Sequence, residues 1–204
     1  MPDYIEQHAV RMDHKGFLRA VETLRDLVDR NPDESVLQAH IESHPYILSE
    51  QHAHCHHVFP RVRLGERYEA DFFCLDLPSH GNQWIAVEIE PAELPVVTKA
   101  GRKSARLEHA LQQLRDWRKW VADNIDYARR PRSQSGLGLE KIEPRFQCCL
   151  IAGRRSNFTE AFNILRRQIL RDEMIEIRSW DGILERAEQR ARMFSGFANR
   201  GPDI

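Results

Sequence analysis

The stretch WIAVEIEP, residues 84–91, sets two carboxylates, Glu88 and Glu90, two positions apart in an otherwise apolar run. Alternation along a β-strand puts Val87 and Ile89 on one face, so both acids turn to the other. Like charges on one face repel, and carboxylates taken out of water are costly. A second acid-bearing segment, RYEADFFCLDL at 67–77, lies just upstream, and PSHG at 78–81 reads as the hairpin loop between the two. Counting outwards from that loop pairs Leu77 with Asn82 and Phe73 with Ala86. Asp71 then falls opposite Glu88, and Glu69 opposite Glu90.

Opposed residues have Cβ atoms about 4.5–5.5 Å apart, and opposed like charges weaken a strand pair. A proton on one carboxylate would offset the repulsion, and so would a divalent cation. Mg²⁺ commonly uses one or two carboxylates and keeps several waters, which makes Asp71 and Glu88 the natural pair to hold it. The plainer alternative is a solvated edge, with Glu69 and Glu90 in salt bridges to nearby arginines such as Arg67.

These acids need a sheet and helices to carry them. Residues 16–30, GFLRAVETLRDLVDR, repeat apolar positions at helical spacing, and NPD then breaks and recaps the chain. A second helix is expected from Asp33, ending before Pro45. RVRL, RYEADFFCLDL and QWIAVEIE read as three strands. The longest helical pattern runs from Gly101 to about Tyr127, and ARRPRSQSGLGLEKIEP has the composition of an exposed loop. Strand RFQCCLIAG, helix TEAFNILRRQIL, strand IEIRSW and a helix from Asp181 complete an α/β fold with no internal repeat.

Basic residues concentrate beside this framework. Between Lys99 and Arg132 there are ten Lys and Arg against four Asp and Glu. At helical spacing Arg102, Arg106, His109, Gln113 and Trp117 fall near one line, next to an apolar stripe of Leu107, Ala110, Leu111, Leu114 and Val121. Any single cation there reads as a solvated helix face. As a row beside the acids, Lys99, Arg102, Lys103 and Arg106 suit the phosphates of nucleic acid, a chemistry that pairs a metal with cations holding the backbone.

Other clusters carry less. The histidines of HAHCHH, residues 52–57, lack a second half for a zinc site and read as a polar surface loop. Cys55, Cys74, Cys148 and Cys149 form no C-x-x-C pair and read as reduced, mostly buried thiols. AGRR at 152–155 ends a strand near a helix start, where backbone amides can meet an anion, but no glycine-rich fingerprint accompanies it.

With 204 residues, 41% hydrophobic and 30% charged with the signs mixed, the chain has the makings of a globular unit rather than a disordered one. No apolar run approaches the roughly 18 residues of a spanning helix, and the first residues lack a secretory pattern. The cytoplasm is the expected compartment, with no membrane partner.

An acid at one strand's start, a hairpin, and Glu-x-Lys on the next strand mark the PD-(D/E)xK nuclease superfamily. ESVLQAHIESHPYIL, ADFFCLDL, WIAVEIEP, TKAGRKSARLEHALQQLRDW, CLIAGRR and IEIRSWDGIL occur here in the order seen in the Shedu family of bacterial anti-phage nucleases, which the chain resembles over roughly residues 33–190. The resemblance implies a PD-(D/E)xK core with a mixed sheet flanked by helices, spanning residues 33–194, preceded by a helical extension (1–32) and followed by a polar tail (195–204).

It implies that Asp71 and Glu88 hold Mg²⁺, with Mn²⁺ as an alternative, and that Glu34 completes the metal site. Gln113 and Trp117 match a glutamine and an aromatic four apart on the helix after the hairpin. The implied catalytic set is Asp71, Glu88, Glu90 and Gln113, and the implied nucleic-acid contacts are Lys99, Arg102, Lys103, Arg106 and Trp117. DNA is the implied substrate, in a homo-oligomer, with a partner protein of the defence system as a candidate trigger. Glu90 departs from the pattern, standing where the superfamily usually has lysine. A carboxylate can accept a proton or bind a second metal but cannot neutralise an anion. The departure motivates a rival expectation, a non-catalytic nucleic-acid-binding or assembly module on the same fold.

Overall fold

The computed structural model describes residues 4–49 apart from 12 and 14, residues 55–98 apart from 80, and residues 101–198. A short helix α1 (Tyr4–Gln7) precedes α2 (Phe17–Arg30). In α2 the buried positions Phe17, Ala20, Val21, Leu24 and Val28 recur at helical spacing. Asn31 ends the helix in the left-handed region, φ 48°, with its N–H donating to the Val28 carbonyl. Asp33 caps α3 (Glu34–Ser43), the one-turn α4 (Tyr46–Ser49) follows, and the chain enters the sheet.

The sheet has five strands in the order β1 (Cys55–Leu64), β2 (Tyr68–Asp76), β3 (Gln83–Ile89), β4 (Gln147–Ile151), β5 (Ile175–Arg178). The first three pair antiparallel and the last two join in parallel. The parallel joins need helical crossovers. These are α5 (Ala105–Asp123) with α6 (Ile125–Arg129) between β3 and β4, and α7 (Glu160–Glu173) between β4 and β5; α8 (Trp180–Ala198) follows β5.

Alternation divides the strand side chains between two cores. Phe73, Ala86, Cys148 and Leu150 pack with Leu111, Leu114 and Trp117 of α5 and Phe162 of α7. Phe72, Val87, Ile89 and Ile151 face the other way, onto Leu24 of α2, Leu37 of α3 and Trp180 of α8. The α/β expectation with helices on both faces of a mixed sheet holds. Among the described residues no helix is long and apolar enough to cross a membrane.

Three expectations are corrected. The helix read from Gly101 starts only at Ala105, because Ser104 caps it through a hydrogen bond from the Leu107 N–H, and it breaks at Asn124 before α6. Arg102 and Lys103 therefore precede the helix, with Lys103 bridged to Val97. Of HAHCHH, His52 and His54 lie outside the described residues, whereas His56 and His57 belong to β1 and His57 is buried rather than part of a surface loop. At the other end α8 continues through Ala198, so residues 195–198, expected in a tail, are helical. Cys74, Cys148 and Cys149 are free, buried thiols, as expected.

Candidate functional site

The hairpin register counted from the sequence is the observed one from Asp76–Gln83 through Phe73–Ala86 to Phe72–Val87. There the β2–β3 ladder stops. One step further on by the same count, Asp71 and Glu88 stand as neighbours across the parting strands. β3 continues alone beside β4, with Glu88 opposite Leu150 and Ile89 opposite Ile151. The Asp71 carboxylate fills the gap, its Oδ2 accepting the Ile89 N–H at 2.8 Å. Glu88 lies within hydrogen-bonding reach of the same carboxylate, which favours the protonated form of Glu88 and the ionised form of Asp71.

Glu88 is 5% exposed and Glu90 8%. Glu90 follows the strand end, its N–H donating to the Ile151 carbonyl at 2.8 Å. Its own carbonyl accepts the buried indole N–H of Trp180 at 2.8 Å. Glu34, in the first turn of α3, is half-buried and adds a negative charge felt by Asp71, Glu88 and Glu90. Four carboxyl groups thus gather where β2 leaves β3.

Their acidities record the crowding. Burial, then the charges of Asp71, Glu34 and Glu90, push Glu88 well above the usual carboxylate range. Burial raises Asp71 to about 7, against the Ile89 N–H, which favours its ionised form. Burial and the Glu34 charge raise Glu90 to about 7, with the Arg106 guanidinium 3.8 Å away pulling it back. Glu34 is raised by burial too, and Arg106 opposes the rise.

Glu69 does not join the cluster. It pairs with Arg63, its partner across β1–β2, at 3.1 Å, and the strands have parted before it could oppose Glu90. Arg67 lies over the Tyr68 ring rather than bridging either acid.

Of the expected basic row Arg106 reaches Glu90, whereas Lys103 is engaged elsewhere, as are the cations further along α5. Lys103 is ion-paired with Glu108, which also binds Arg115, itself paired with Glu173 at 2.7 Å. Arg118 donates to the Phe146 and Met174 carbonyls, and Lys119 pairs with Asp123 one turn on. Arg102 is exposed in the turn before α5, and Lys99 lies outside the described residues. Gln113 is half-buried, two turns or about 10.5 Å along α5 from Arg106, and makes no hydrogen bond to the acids among the described residues. Trp117, expected as a nucleic-acid contact, is 1% exposed inside the α5 core. It sits on the apolar stripe, four residues before Val121, and not on the polar line.

The sequence reading missed one cation. Pro60 pairs with Phe72 and Val62 with Ala70, which sets Arg61 opposite Asp71. Arg61 has φ 47°, a left-handed conformation inside a strand that is rare for a residue with a side chain. Its guanidinium bonds Glu42 of α3 at 2.6 Å, and its charge pulls the Asp71 pKa down. The available signal was Pro60, since proline within a strand marks an edge or a bulge.

Among the described residues no three His, Cys, Asp or Glu side chains converge closely enough to hold a metal among them. The donor set suits a hard cation all the same: two all-oxygen side chains, buried and repelling each other, match the one or two carboxylates of Mg²⁺ sites.

This is an α/β unit whose mixed sheet parts to seat a buried carboxyl pair flanked by arginines. The chain belongs to the family of the Shedu protein SduA, C-terminal, whose model matches residues 31–184 and so takes in all four acids, Arg61 and Arg106. Membership supports a role in anti-phage defence. No curated protein matches the chain.

Proposed function

We propose that the chain is a metal-dependent DNA endonuclease or nickase of anti-phage defence, built on a PD-(D/E)xK core with Glu90 at the lysine position. The observation that carries this reading is the buried Asp71–Glu88 pair, two neighbouring acids crowded by two further acids and Arg106. Asp71 and Glu88 would hold Mg²⁺, or Mn²⁺ in its place. When bound, the ion polarises the phosphate and lowers the pKa of water.

The chain's own groups supply the rest. Glu90, with a pKa of about 7, is poised to take a proton from water near neutral pH. Arg106 on the Glu90 side and Arg61 on the Asp71 side bring positive charge to either flank of the acids. Guanidinium groups suit phosphate oxygens through paired N–H donors. The Ile89 N–H and the Glu42 carboxylate hold Asp71 and Arg61 in place.

Purified protein should nick supercoiled plasmid in Mg²⁺ and stop on chelation. Asp71→Asn should lower cleavage by at least about 100-fold, the scale on which removing electrostatic stabilisation acts, while circular dichroism stays unchanged. Asp71→Asn protein as active as wild type would remove the assignment. The rival reading, a binding or assembly module, draws on Glu90 and on the lack of a three-ligand cluster. It expects salt-sensitive DNA affinity with no turnover and no metal-dependent rise in melting temperature.

A further inference from the structure

A second charged concavity lies at the β5 edge of the sheet. It encloses about 400 Å³, and its lining sets four guanidinium groups, Arg155, Arg166, Arg178 and Arg186, against the single carboxylate of Glu176. Glu176 is engaged by Arg178 at 2.8 Å. Arg155 pairs with Glu185, which lies outside the lining.

Arg166 is the cation left over. Its hydrogen bonds go to neutral acceptors, the Asn163 side chain at 2.9 Å and the Ile177 carbonyl at 3.0 Å, and no carboxylate pairs with it among the described residues. The Arg155 and Arg167 charges crowd it further. Glu176 eases that crowding without bonding it, and a half-buried guanidinium with no carboxylate of its own poses the same problem as the clustered acids with the sign reversed, one that a bound anion resolves.

The chemistry of the lining narrows the anion. Guanidinium forks match phosphate oxygens two at a time. The aromatic in the lining, Phe158, is already taken, with Arg166 over its ring at 5.3 Å and Phe162 edge-on at 4.8 Å. No stacking platform for a base is left there. Recognition is therefore of phosphate, not of base identity.

Position supplies the second argument. β3, β4 and β5 run parallel, so Arg178 and Ser179 of the lining stand at the same end of the sheet as Glu88 and Glu90. Two strand spacings separate β5 from β3, roughly 10 Å. A nucleic-acid strand rises about 3.4 Å per nucleotide, so about three nucleotides cover that span.

We propose that this arginine pocket binds a backbone phosphate of a nucleic-acid strand laid across the sheet end from the acidic centre, an assignment that rests on the nuclease reading. The test is fluorescence anisotropy of a labelled DNA duplex with full-length Asp71→Asn protein in Mg²⁺ over a salt series. Adding Arg166→Gln or Arg186→Gln should each weaken binding about five-fold and flatten the slope of log affinity against log salt by about one. Arg186 is exposed, so its variant guards against a folding defect in the Arg166 one. Unchanged affinity and slope in both would overturn the pocket, while plasmid nicking by the otherwise wild-type chain would show that the nuclease reading survives. If no duplex binds at all, titration with inorganic pyrophosphate separates the sources. Arg166-dependent pyrophosphate binding would overturn the DNA strand as occupant and keep a phosphate site; no binding of either would overturn both.

Discussion

Oδ2 of Asp71 accepts the main-chain N–H of Ile89 at 2.8 Å, spanning the point where β2 and β3 part. The carboxylate does the work of a missing ladder bond, and the strand bearing Glu88 and Glu90 stays aligned although its partner has left. Asparagine at 71 keeps an oxygen acceptor for that N–H. Asp71→Asn should therefore keep the fold and lose the chemistry, whereas Asp71→Ala should lose about 1–2 kcal/mol as well. Plasmid nicking together with urea denaturation separates the two.

The raised pKa values make a linkage prediction. A carboxyl whose folded pKa lies above its unfolded value binds more protons when folded. Its favourable contribution is then complete below the unfolded pKa and is lost as pH rises through the folded value. For Asp71 and Glu90 that window runs from about 4 to about 7. Metal-free protein should melt progressively lower across it. Glu88→Gln should flatten the dependence and raise the melting temperature at pH 8 by about 2–4 °C per kcal/mol recovered, at the cost of activity. Mg²⁺ should stabilise wild type more at pH 8 than at pH 6, and scanning calorimetry at the two pH values checks it.

Glu90 as proton acceptor predicts a cleavage rate that climbs with pH and levels off near 7. Glu90→Gln should remove that limb. Arg106 holds the Glu90 pKa down, so Arg106→Gln should move the limb to higher pH and also weaken substrate binding. A pH–rate profile with its limb in the same place in the Arg106 variant would separate the two residues.

Arg61 allows backbone and side chain to be tested apart. Its left-handed φ favours glycine, so Arg61→Gly should be more stable than Arg61→Ala by about 1 kcal/mol. Both lack the guanidinium, and both should bind DNA less tightly than wild type. Equal stability of the two variants would mean that the turn at Arg61 carries no strain.

Trp117 belongs to the core. Trp117→Ala should cost about 3–5 kcal/mol, read by urea denaturation, rather than a selective loss of DNA affinity at unchanged stability.

What the sequence disclosed and what it withheld follow physical lines. Strand periodicity and one loop length gave the β2–β3 register, because alternation fixes every pair once the turn is placed. Glu69 opposite Glu90 failed because counting assumes that pairing persists, and the strands separate one step too early. Trp117 falls on the polar line in the sequence because a large aromatic about three turns from Arg106 fits either side of a helix whose apolar stripe is wide; Leu114 and Val121 decide it. The ten cations between Lys99 and Arg132 read as one basic stretch because the ion pair of Arg115 to distant Glu173 and the hydrogen bonds of Arg118 to the Phe146 and Met174 carbonyls are invisible in a linear chain. Arg61 escaped because its importance comes from a neighbour across the sheet.

The indole of Trp180 grips the carbonyl of Glu90 from ninety residues away. On the proposed reading, whatever tugs on α8 therefore tugs on the proton acceptor, so a neighbour seated against that helix would act as a brake or a throttle without ever touching the nucleic acid.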